Sequence, residues 1–401
     1  MVTTAAYTTD SRYRTYPGDG YEGVVRVSLG GFFATGSLLF DGRAILTAAH
    51  LFEGRTGSAS VTFETRSGIQ TLNISKTLIH FAYDKAQSNN DLALVWLTDT
   101  APMDANRYDI YRGSDEIGQS FTMVGYGKTG TGSAGATNSG TASPIRLKAE
   151  NKFDADASTL KSNLGSEMAW TPLAGSQLVA DFDDGTTARD SLGRLIYQTN
   201  TGNGLDEGLI AQGDSGGPAF ISGLLAGVAS YTASLFKDST YPDIDARNNS
   251  SFGEIAAWQR VSTYQQWIDQ SLQANYPNKP TKPGDVIKDV AEGNSGTSYT
   301  YFLLQFTGVR GDANQIISIE YTTRNGSAMA GSDYIAVSGK LNLYPGENQA
   351  VIPVEIVGDT VPEPSETFYL DVFNPVGGSF GEGVVKLTAV RTILYDDGMT
   401  L

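Results

Sequence analysis

The sequence predicts an all-β protein that is divided into more than one domain. Its 401 residues include 46 glycines, 20 tyrosines and 17 phenylalanines, a composition typical of strands joined by many turns. Short apolar runs alternate with turn signals along most of the chain, which indicates a sandwich or a barrel. One core seldom serves a chain of this length, so two domains are expected.

The first domain is predicted to follow a polar N-terminal arm over residues 1–19. Its strands begin at residues 24–29. The apolar runs 36–40 and 44–47 flank Asp41-Gly42, which is a hairpin signal. Similar short strands continue to about residue 235.

A helix is predicted only near the end of this domain, over residues 261–272. Four apolar residues recur there at helical spacing, with Ser262 or Thr263 as the N-cap: Tyr264, Trp267, Ile268 and Leu272. The proline-rich segment 274–284 then predicts a stiff linker. The expected limits are therefore 20–273 for the first domain and 285–401 for the second, where residues 316–321 and 350–356 are typical strands.

Charge and composition exclude several classes of function. The net charge is −16, and residues 283–401 hold 15 acidic against six basic residues. Such a chain repels nucleic acid but suits divalent cations. No apolar run approaches the roughly 18 residues of a membrane span, so no membrane insertion is predicted. Residues 1–20 show no signal-peptide pattern, and the absence of cysteine leaves the compartment open.

Three segments supply the parts of an acyl-transfer site. Ser215 lies in a glycine-flanked turn, Gly213-Asp214-Ser215-Gly216-Gly217-Pro218, between apolar runs. His50 ends the run 46–50, and Asp91 opens another. A serine hydroxyl becomes nucleophilic when a histidine removes its proton and an aspartate orients that histidine. The turn would also direct the amides of Gly213 and Ser215 at an oxyanion.

These motifs resemble the chymotrypsin/trypsin family of serine endopeptidases over residues 20–272. The resemblance implies a double β-barrel with a C-terminal helix, and His50, Asp91 and Ser215 as the catalytic triad. His80, the other histidine, is a weaker alternative base. The family's disulfides are missing, and no Ile-Val-Gly-Gly-like terminus is visible to pair with Asp214, whose partner stays open.

The resemblance also implies a specificity pocket. Its predicted residues are Leu209, Ser230, Tyr231, Thr232 and Ala256. Such walls predict cleavage after a small or medium apolar residue. If loop insertions shift this alignment, Asp206 and Glu207 enter the pocket and reverse the preference.

Two acidic segments are candidates for metal binding. Asp181-Phe182-Asp183-Asp184-Gly185 hints at a cation loop, but Leu192 stands where an EF-hand has its glutamate, so a solvated turn is predicted. In the second domain, carboxylates lie at strand ends beside turns, with Glu363 and Glu366 close together. This pattern over residues 285–398 resembles the Calx-β module, an immunoglobulin-like β-sandwich. It implies Ca²⁺ ligands at Glu292, Asp333, Asp359, Glu363, Asp396 and Asp397, with Gly358 where calcium-sensing relatives have another aspartate.

The function predicted from these features is that of a monomeric, secreted or cell-surface serine endopeptidase. It would act on protein or peptide substrates and bind Ca²⁺ in its C-terminal domain, with no cofactor for the chemistry. Two alternatives stay open. One is an inert, protease-like adhesion protein, and the other is an esterase that uses the same triad.

Overall fold

The structure is a computed structural model that describes residues 2–6, 10–137, 145–394 and 396. The chain divides into two compact units. The first comprises residues 1–39 and 43–265, and the second comprises residues 40–42 and 266–401. The domain limits inferred from the sequence stay a prediction.

The first unit is built mainly of short strands. In chain order they are β1 Val2–Thr4, β2 Val24–Leu29, β3 Phe32–Leu38, β4 Ala44–Thr47, β5 Ala59–Thr65, β6 Gly68–Ile79, β7 Ala93–Leu97, β8 Ser120–Gly125, β9 Gly130–Thr131, β10 Gly135–Ala136, β11 Leu147–Lys152, β12 Ala155–Asp156, β13 Gln177–Asp181, β14 Gly208–Ile210, β15 Pro218–Ile221, β16 Leu224–Ala233 and β17 Ile255–Arg260.

Six of these strands close into a barrel in the order β2-β3-β4-β7-β6-β5. The predicted hairpin is confirmed, because β3 pairs with β4 around a turn in which Gly42 has φ +70°. Alternate residues of β5 face the interior, where Val61 and Phe63 are fully buried. This period of two is what a half-buried strand requires.

A second sheet runs β11-β8-β15-β16-β17-β13-β12, and its described strands form an open sheet of seven rather than a closed barrel. Three aromatic rings fill its core. Phe121 stacks on Phe153 with centroids 4.0 Å apart, and both rings meet Trp258 edge-on. Such rings bury a large apolar area, so they stabilise the packing of this sheet.

Part of the predicted N-terminal arm belongs to a third, small sheet ordered β10-β9-β1-β14. Strand β1 pairs antiparallel with β14, and the side chains of Thr3 and Thr4 are fully buried. Thr3 also donates its hydroxyl proton to the carbonyl oxygen of Leu209. Residues 2–4 therefore pair with β14, the strand that directly precedes the turn of Ser215.

The α-helices are α1 Ala157–Leu164, α2 Ser191–Ile196 and α3 Val261–Asn275. Helix α3 confirms the predicted C-terminal helix but begins before both predicted caps. Its first-turn hydroxyls bind elsewhere, that of Ser262 to Glu116 and that of Thr263 to the carbonyl oxygen of Gly175. Within the described ranges, no helix has the length and apolarity needed to span a bilayer.

The second unit contains a β-sandwich, as predicted. Its strands are β18 Asp289–Ala291, β19 Thr297–Gln305, β20 Ile317–Asn325, β21 Ser338–Leu343, β22 Gln349–Val357, β23 Glu366–Val376 and β24 Lys386–Leu394. A five-stranded sheet, β18-β24-β23-β20-β21, packs on the pair β19-β22. Their inner faces share one core that includes Phe302, Val354 and Phe368.

Candidate active site

His50 and Asp91 are brought together by neighbouring strands of the closed barrel. His50 lies in a short 3₁₀ turn, Ala49–Leu51, directly after β4, and Asp91 directly precedes β7. Because β4 and β7 pair with each other, the two side chains meet at the same end of the barrel. Asp91 Oδ2 lies 2.7 Å from His50 Nδ1, and Asp91 Oδ1 accepts the backbone N–H of His50 at 2.9 Å. The carboxylate thus fixes both the ring and the backbone of the histidine.

A third donor holds the same carboxylate. The hydroxyl of Ser230, on β16, donates to Asp91 Oδ2 at 2.6 Å. Asp91 is only 2% exposed, so water cannot hydrate its carboxylate. These three hydrogen bonds take the place of the lost hydration. From the sequence, Ser230 was predicted to line the substrate pocket, and its contact with Asp91 was not predicted. Arg55 further anchors the turn by donating to the carbonyl oxygen of His50 at 2.9 Å.

Ser215 lies in the turn between β14 and β15, and Thr35 of β3 ties this turn to the closed barrel. The backbone N–H of Thr35 donates to the carbonyl oxygen of Ser215 at 2.9 Å. The hydroxyl of Thr35 donates to the carbonyl oxygen of Gly213 at 3.0 Å. The next residue, Gly216, comes so close to β4 that an added Cβ would lie 2.2 Å from the hydroxyl oxygen of Thr47. The serine turn therefore packs against the strand that leads to His50. No local pattern in the sequence indicated the role of Thr35.

The backbone of the serine turn leaves two amide donors available. In the described part of the chain, the N–H groups of Gly213 and Ser215 have no hydrogen-bond acceptor. Gly213 has φ +100°, a conformation that residues with a side chain rarely adopt, and an added Cβ would lie 2.9 Å from the Cα of Gly127. Two unpaired amides in one tight turn are the donors that an oxyanion requires.

Asp214 points away from these amides into the protein. Its carboxylate accepts the backbone N–H groups of Gly127 and Ala211, each at 2.8 Å. Burial raises the pKa of Asp214 to about 6, although the bond from Ala211 opposes that shift. A Cβ at residue 127 would lie 2.6 Å from this carboxylate, so the position accepts only glycine.

His80 occupies a different environment from His50. Its ring stacks on Phe81 with centroids 4.6 Å apart and meets Tyr264 edge-on. Its Nδ1 accepts the backbone N–H of Ala82 at 3.3 Å, and burial lowers the pKa of the ring. The carboxylate of Asp91 thus engages His50, while His80 packs among aromatic rings.

A cavity of about 370 Å³ opens beside Ser215. Three of the five predicted pocket residues, Ser230, Tyr231 and Thr232, line it. The rest of the lining is uncharged except for one lysine. It comes from two further segments and two single residues: Ile210, Ala211, Gln212, Asn248, Asn249, Ser250, Ala136 and Lys128.

The other two predicted pocket residues, Leu209 and Ala256, do not line this cavity. Both are fully buried in the core of the second sheet. Adjacent residues of a strand face opposite sides, so Ile210 faces the cavity where Leu209 faces the core. The alternative in which Asp206 and Glu207 enter the pocket is not supported either. Asp206 is exposed beside Arg12, and Glu207 is fully buried and does not line the cavity.

The predicted cation ligands of the second unit lie on connected loops. Asp333, Glu363 and Glu366 place carboxylate oxygens within 4.8 Å of one another. Glu366 was not among the predicted ligands, although its position beside Glu363 was visible in the sequence. Burial, followed by the neighbouring Asp333, raises the pKa of Glu366 to about 7.

Hydrogen bonds of the neighbouring backbone involve Asp333 and Asp396, and the other predicted ligands lie close to these bonds in the chain. The N–H of Val357 donates to the carbonyl oxygen of Asp333, and Asp359 follows two residues later. Asp396 accepts the N–H of Gly293, beside Glu292, at 3.0 Å. Asp397 lies outside the described residues. Carboxylate oxygens alone form this donor set, and such donors suit Ca²⁺.

One further prediction is wrong. The segment that begins at Asp181 is not a solvated turn, because Asp181 is fully buried and Asp183 is 2% exposed, whereas its last two residues, Asp184 and Gly185, face solvent. Strand β13 carries Asp181 into the interior, and the chain turns outward only after Asp183.

Comparison with known proteins agrees with this arrangement of two units. The Trypsin family model matches residues 12–170, which include His50 and Asp91 but end before Ser215. The Calx-beta domain model matches residues 301–397. Neuropsin, described as a serine protease expressed in the limbic system of mouse brain, aligns at TM-score 0.46 and 16% identity, covering 65% of this chain and 98% of neuropsin.

Sodium/calcium exchangers are among the relatives of this chain. The sodium/calcium exchanger Calx of Drosophila melanogaster is 38% identical over 91 residues, which is 22% of this chain and 9% of the exchanger. Human sodium/calcium exchanger 2 is 36% identical over 108 residues, covering 24% of this chain and 12% of the exchanger. The chain thus spans only about a tenth of the length of these relatives. One segment of the chain matches the Trypsin family model, and a separate segment matches the Calx-beta domain model.

Proposed function

We propose that this protein is a serine endopeptidase in which Ser215 is the nucleophile. The observation that carries the proposal is the double hydrogen bond from His50 to the buried Asp91, beside a serine turn with two unpaired amides. This combination serves acyl transfer and has no evident structural need. In this proposal His50 is the general base, Asp91 orients His50, and Ser215 is the nucleophile.

The reaction follows from this arrangement. His50 Nε2 takes the proton of Ser215 while Oγ forms a bond to the carbonyl carbon of the substrate. The amides of Gly213 and Ser215 stabilise the negative oxygen, each contributing roughly 3 kcal/mol in the transition state. The C–N bond then breaks, and His50 gives its proton to the leaving amine. Water, deprotonated by the same imidazole, releases the acyl group from the serine.

The cavity beside Ser215 supports a preference for a small or medium uncharged residue before the scissile bond. Amide and hydroxyl groups of Gln212, Thr232 and Asn248 line it together with the apolar Ile210. No carboxylate is among its described lining residues, so an arginine or lysine side chain would find no counter-charge. Peptides with alanine, valine or glutamine at this position should be cleaved faster than those with arginine.

The second unit is proposed to bind Ca²⁺ through Asp333, Glu363 and Glu366, with Glu292, Asp359 and Asp396 on adjoining loops. The bound ion would supply positive charge to a group of carboxylates that otherwise repel each other. A secreted or cell-surface location, a monomeric state and protein substrates complete the proposal.

A fluorophosphonate probe tests the catalytic assignment directly. The native chain should be labelled at Ser215, and Ser215→Ala should abolish both labelling and peptide cleavage. Ser166→Ala, a change at an exposed serine in the same unit, is the matched control and should leave both unchanged. A folded native chain that takes no label would favour the inert binding protein. Labelling with cleavage of esters but not of peptides would favour the esterase.

A further inference from the structure

A second group of acidic residues is buried within the trypsin-like unit. Its members come from the ends of β11 and β13, the N-cap of α2 and the residue before β14, and each is at most 8% exposed: Asp154, Asp181, Asp183, Asp190 and Glu207. Oxygens of Asp181, Asp183 and Asp190 lie within 4.8 Å of one another. Acidic residues are almost never buried to this extent unless they are paired.

Four of these carboxylates accept N–H donors from a neighbouring loop or helix. Three are held through one oxygen only: Asp154 by the side chain of Asn200 at 3.1 Å, Asp181 by Leu192 at 2.8 Å and Glu207 by Asn203 at 2.6 Å. Asp190 is held through both oxygens, by Gly193 at 2.6 Å and by Asn200 at 3.3 Å. The side chains are therefore oriented before any ligand binds.

The other oxygens are buried without a partner in the described part of the chain. They are Asp154 Oδ2, Asp181 Oδ1, Glu207 Oε1 and both carboxylate oxygens of Asp183. No lysine or arginine forms an ion pair with any of the five residues within the described ranges. Five buried oxygens without donors are an energetic liability that a cation would remove.

We propose that these five carboxylates bind a calcium ion. The donor set consists of oxygens alone, with no histidine or cysteine of the kind that zinc prefers. Calcium takes about six to eight oxygens at roughly 2.3–2.6 Å in flexible geometry, whereas magnesium demands a near-ideal octahedron. The five unpartnered oxygens, completed by solvent, meet the calcium requirement.

The electrostatics agree with this assignment. Burial raises the pKa of Asp181 and Asp183, and the neighbouring carboxylates raise both further. Burial also raises the pKa of Asp154, and it outweighs the opposing effects of the hydrogen bond from Asn200 and of the charge on Lys152. The protein alone thus supplies too little positive charge for this group of acids.

The ion would connect the loop before β14 to the second sheet. Gly202 in that loop lies so close that an added Cβ would be 2.7 Å from the Cβ of Asp183. Glu207 directly precedes β14, and β14 leads into the turn of Ser215. Calcium removal is therefore expected to loosen the segment that leads to the nucleophile.

The test is a count of bound calcium on the full chain. A parent variant, Asp333→Asn with Glu363→Gln, first disables the carboxylates of the Calx-beta domain. After treatment with chelator, equilibrium dialysis against ⁴⁵Ca²⁺ should still show one bound ion per chain. Adding Asp183→Asn should remove that ion, while Asp184→Asn, the exposed neighbour, should retain it.

Asp183→Asn is expected to fold, because asparagine has the shape of a protonated aspartate. Near-ultraviolet circular dichroism, which reports on the packing of the buried aromatic residues, checks this. Glu207→Gln serves as a second variant and should also lose the ion. Hydrogen exchange across residues 198–207 of the parent variant should slow when calcium is added. The proposal is overturned if the parent variant binds no calcium, or if Asp183→Asn and Glu207→Gln both keep the ion.

Discussion

Replacement of Asp91 by asparagine tests the catalytic arrangement most severely. Asp91 accepts three hydrogen bonds, from the backbone of His50, from His50 Nδ1 and from the hydroxyl of Ser230. An asparagine side chain has one oxygen and one NH₂ group, so it can accept at only one of the two carboxylate positions.

The two orientations of the asparagine have unequal costs. If its NH₂ faced the backbone N–H of His50, two donors would meet in a buried site, at a cost of about 1–3 kcal/mol. In the other orientation the NH₂ donates to His50 Nδ1. The ring proton then moves to Nε2, the atom that must accept the proton of Ser215. The variant therefore holds its histidine in the wrong tautomer.

We expect Asp91→Asn to lower kcat by about 10⁴-fold, which corresponds to about 5.5 kcal/mol. KM should change little, because Asp91 does not line the cavity beside Ser215. Peptide hydrolysis and the rate of fluorophosphonate labelling are the measurements. Asp84→Asn, at an exposed aspartate of the preceding loop, is the matched control. A folded Asp91→Asn protein with kcat within tenfold of the native value would refute the assigned role.

Three further predictions concern other contacts. Ser230→Ala removes one donor to Asp91, and kcat should fall roughly tenfold, since a hydrogen bond to a charged group contributes about 1.5–3 kcal/mol. Gly213→Ala cannot keep its φ of +100°, so peptide hydrolysis should slow about 10²- to 10³-fold through a displaced amide, with folding checked by circular dichroism. In the second unit, burial raises the pKa of Asp371, but hydrogen bonds from Thr388, Arg324 and Lys386 outweigh it and lower the pKa to about 2. The folded state then binds fewer protons than the unfolded state, so this stabilisation is complete above about pH 4 and is lost as the pH falls towards 2. Urea unfolding at pH 6 should show the native protein about 1 kcal/mol more stable than Asp371→Asn. The difference is this small because both basic partners, Arg324 and Lys386, are half exposed to solvent. Near pH 2 the two proteins should be equally stable. An advantage that persists at pH 2 would contradict this account.

The sequence could indicate the chemistry of the site because the signals for it are local. Ser215 lies within a glycine-rich turn and His50 at the end of a strand, and each pattern spans only a few residues. The side-chain alternation of the strands and the apolar spacing of α3 are equally local. The all-β class, the terminal helix and the sandwich could therefore be predicted without coordinates.

The specificity pocket could not be placed with the same success. Side chains of β14 alternate between the buried core and the cavity. A sequence alignment that is wrong by one residue therefore assigns a core residue to the cavity. Leu209 and Ile210 are both apolar, so composition does not tell which one faces the substrate. The register is set by the pairing of β14 with β1, a contact between segments about 200 residues apart.

The sequence by itself indicated the candidate side chains for the proposed chemistry and the segments that form strands. Only the tertiary structure decided that Thr35 fastens the serine turn, that Ser230 supports Asp91, and that five distant acids converge in the interior. The reason is physical: local backbone preferences act between neighbouring residues, whereas side chains from separate loops meet only after the sheets have packed. A sequence motif within one loop cannot reveal the buried acidic group, because the oxygens of that group come from several loops.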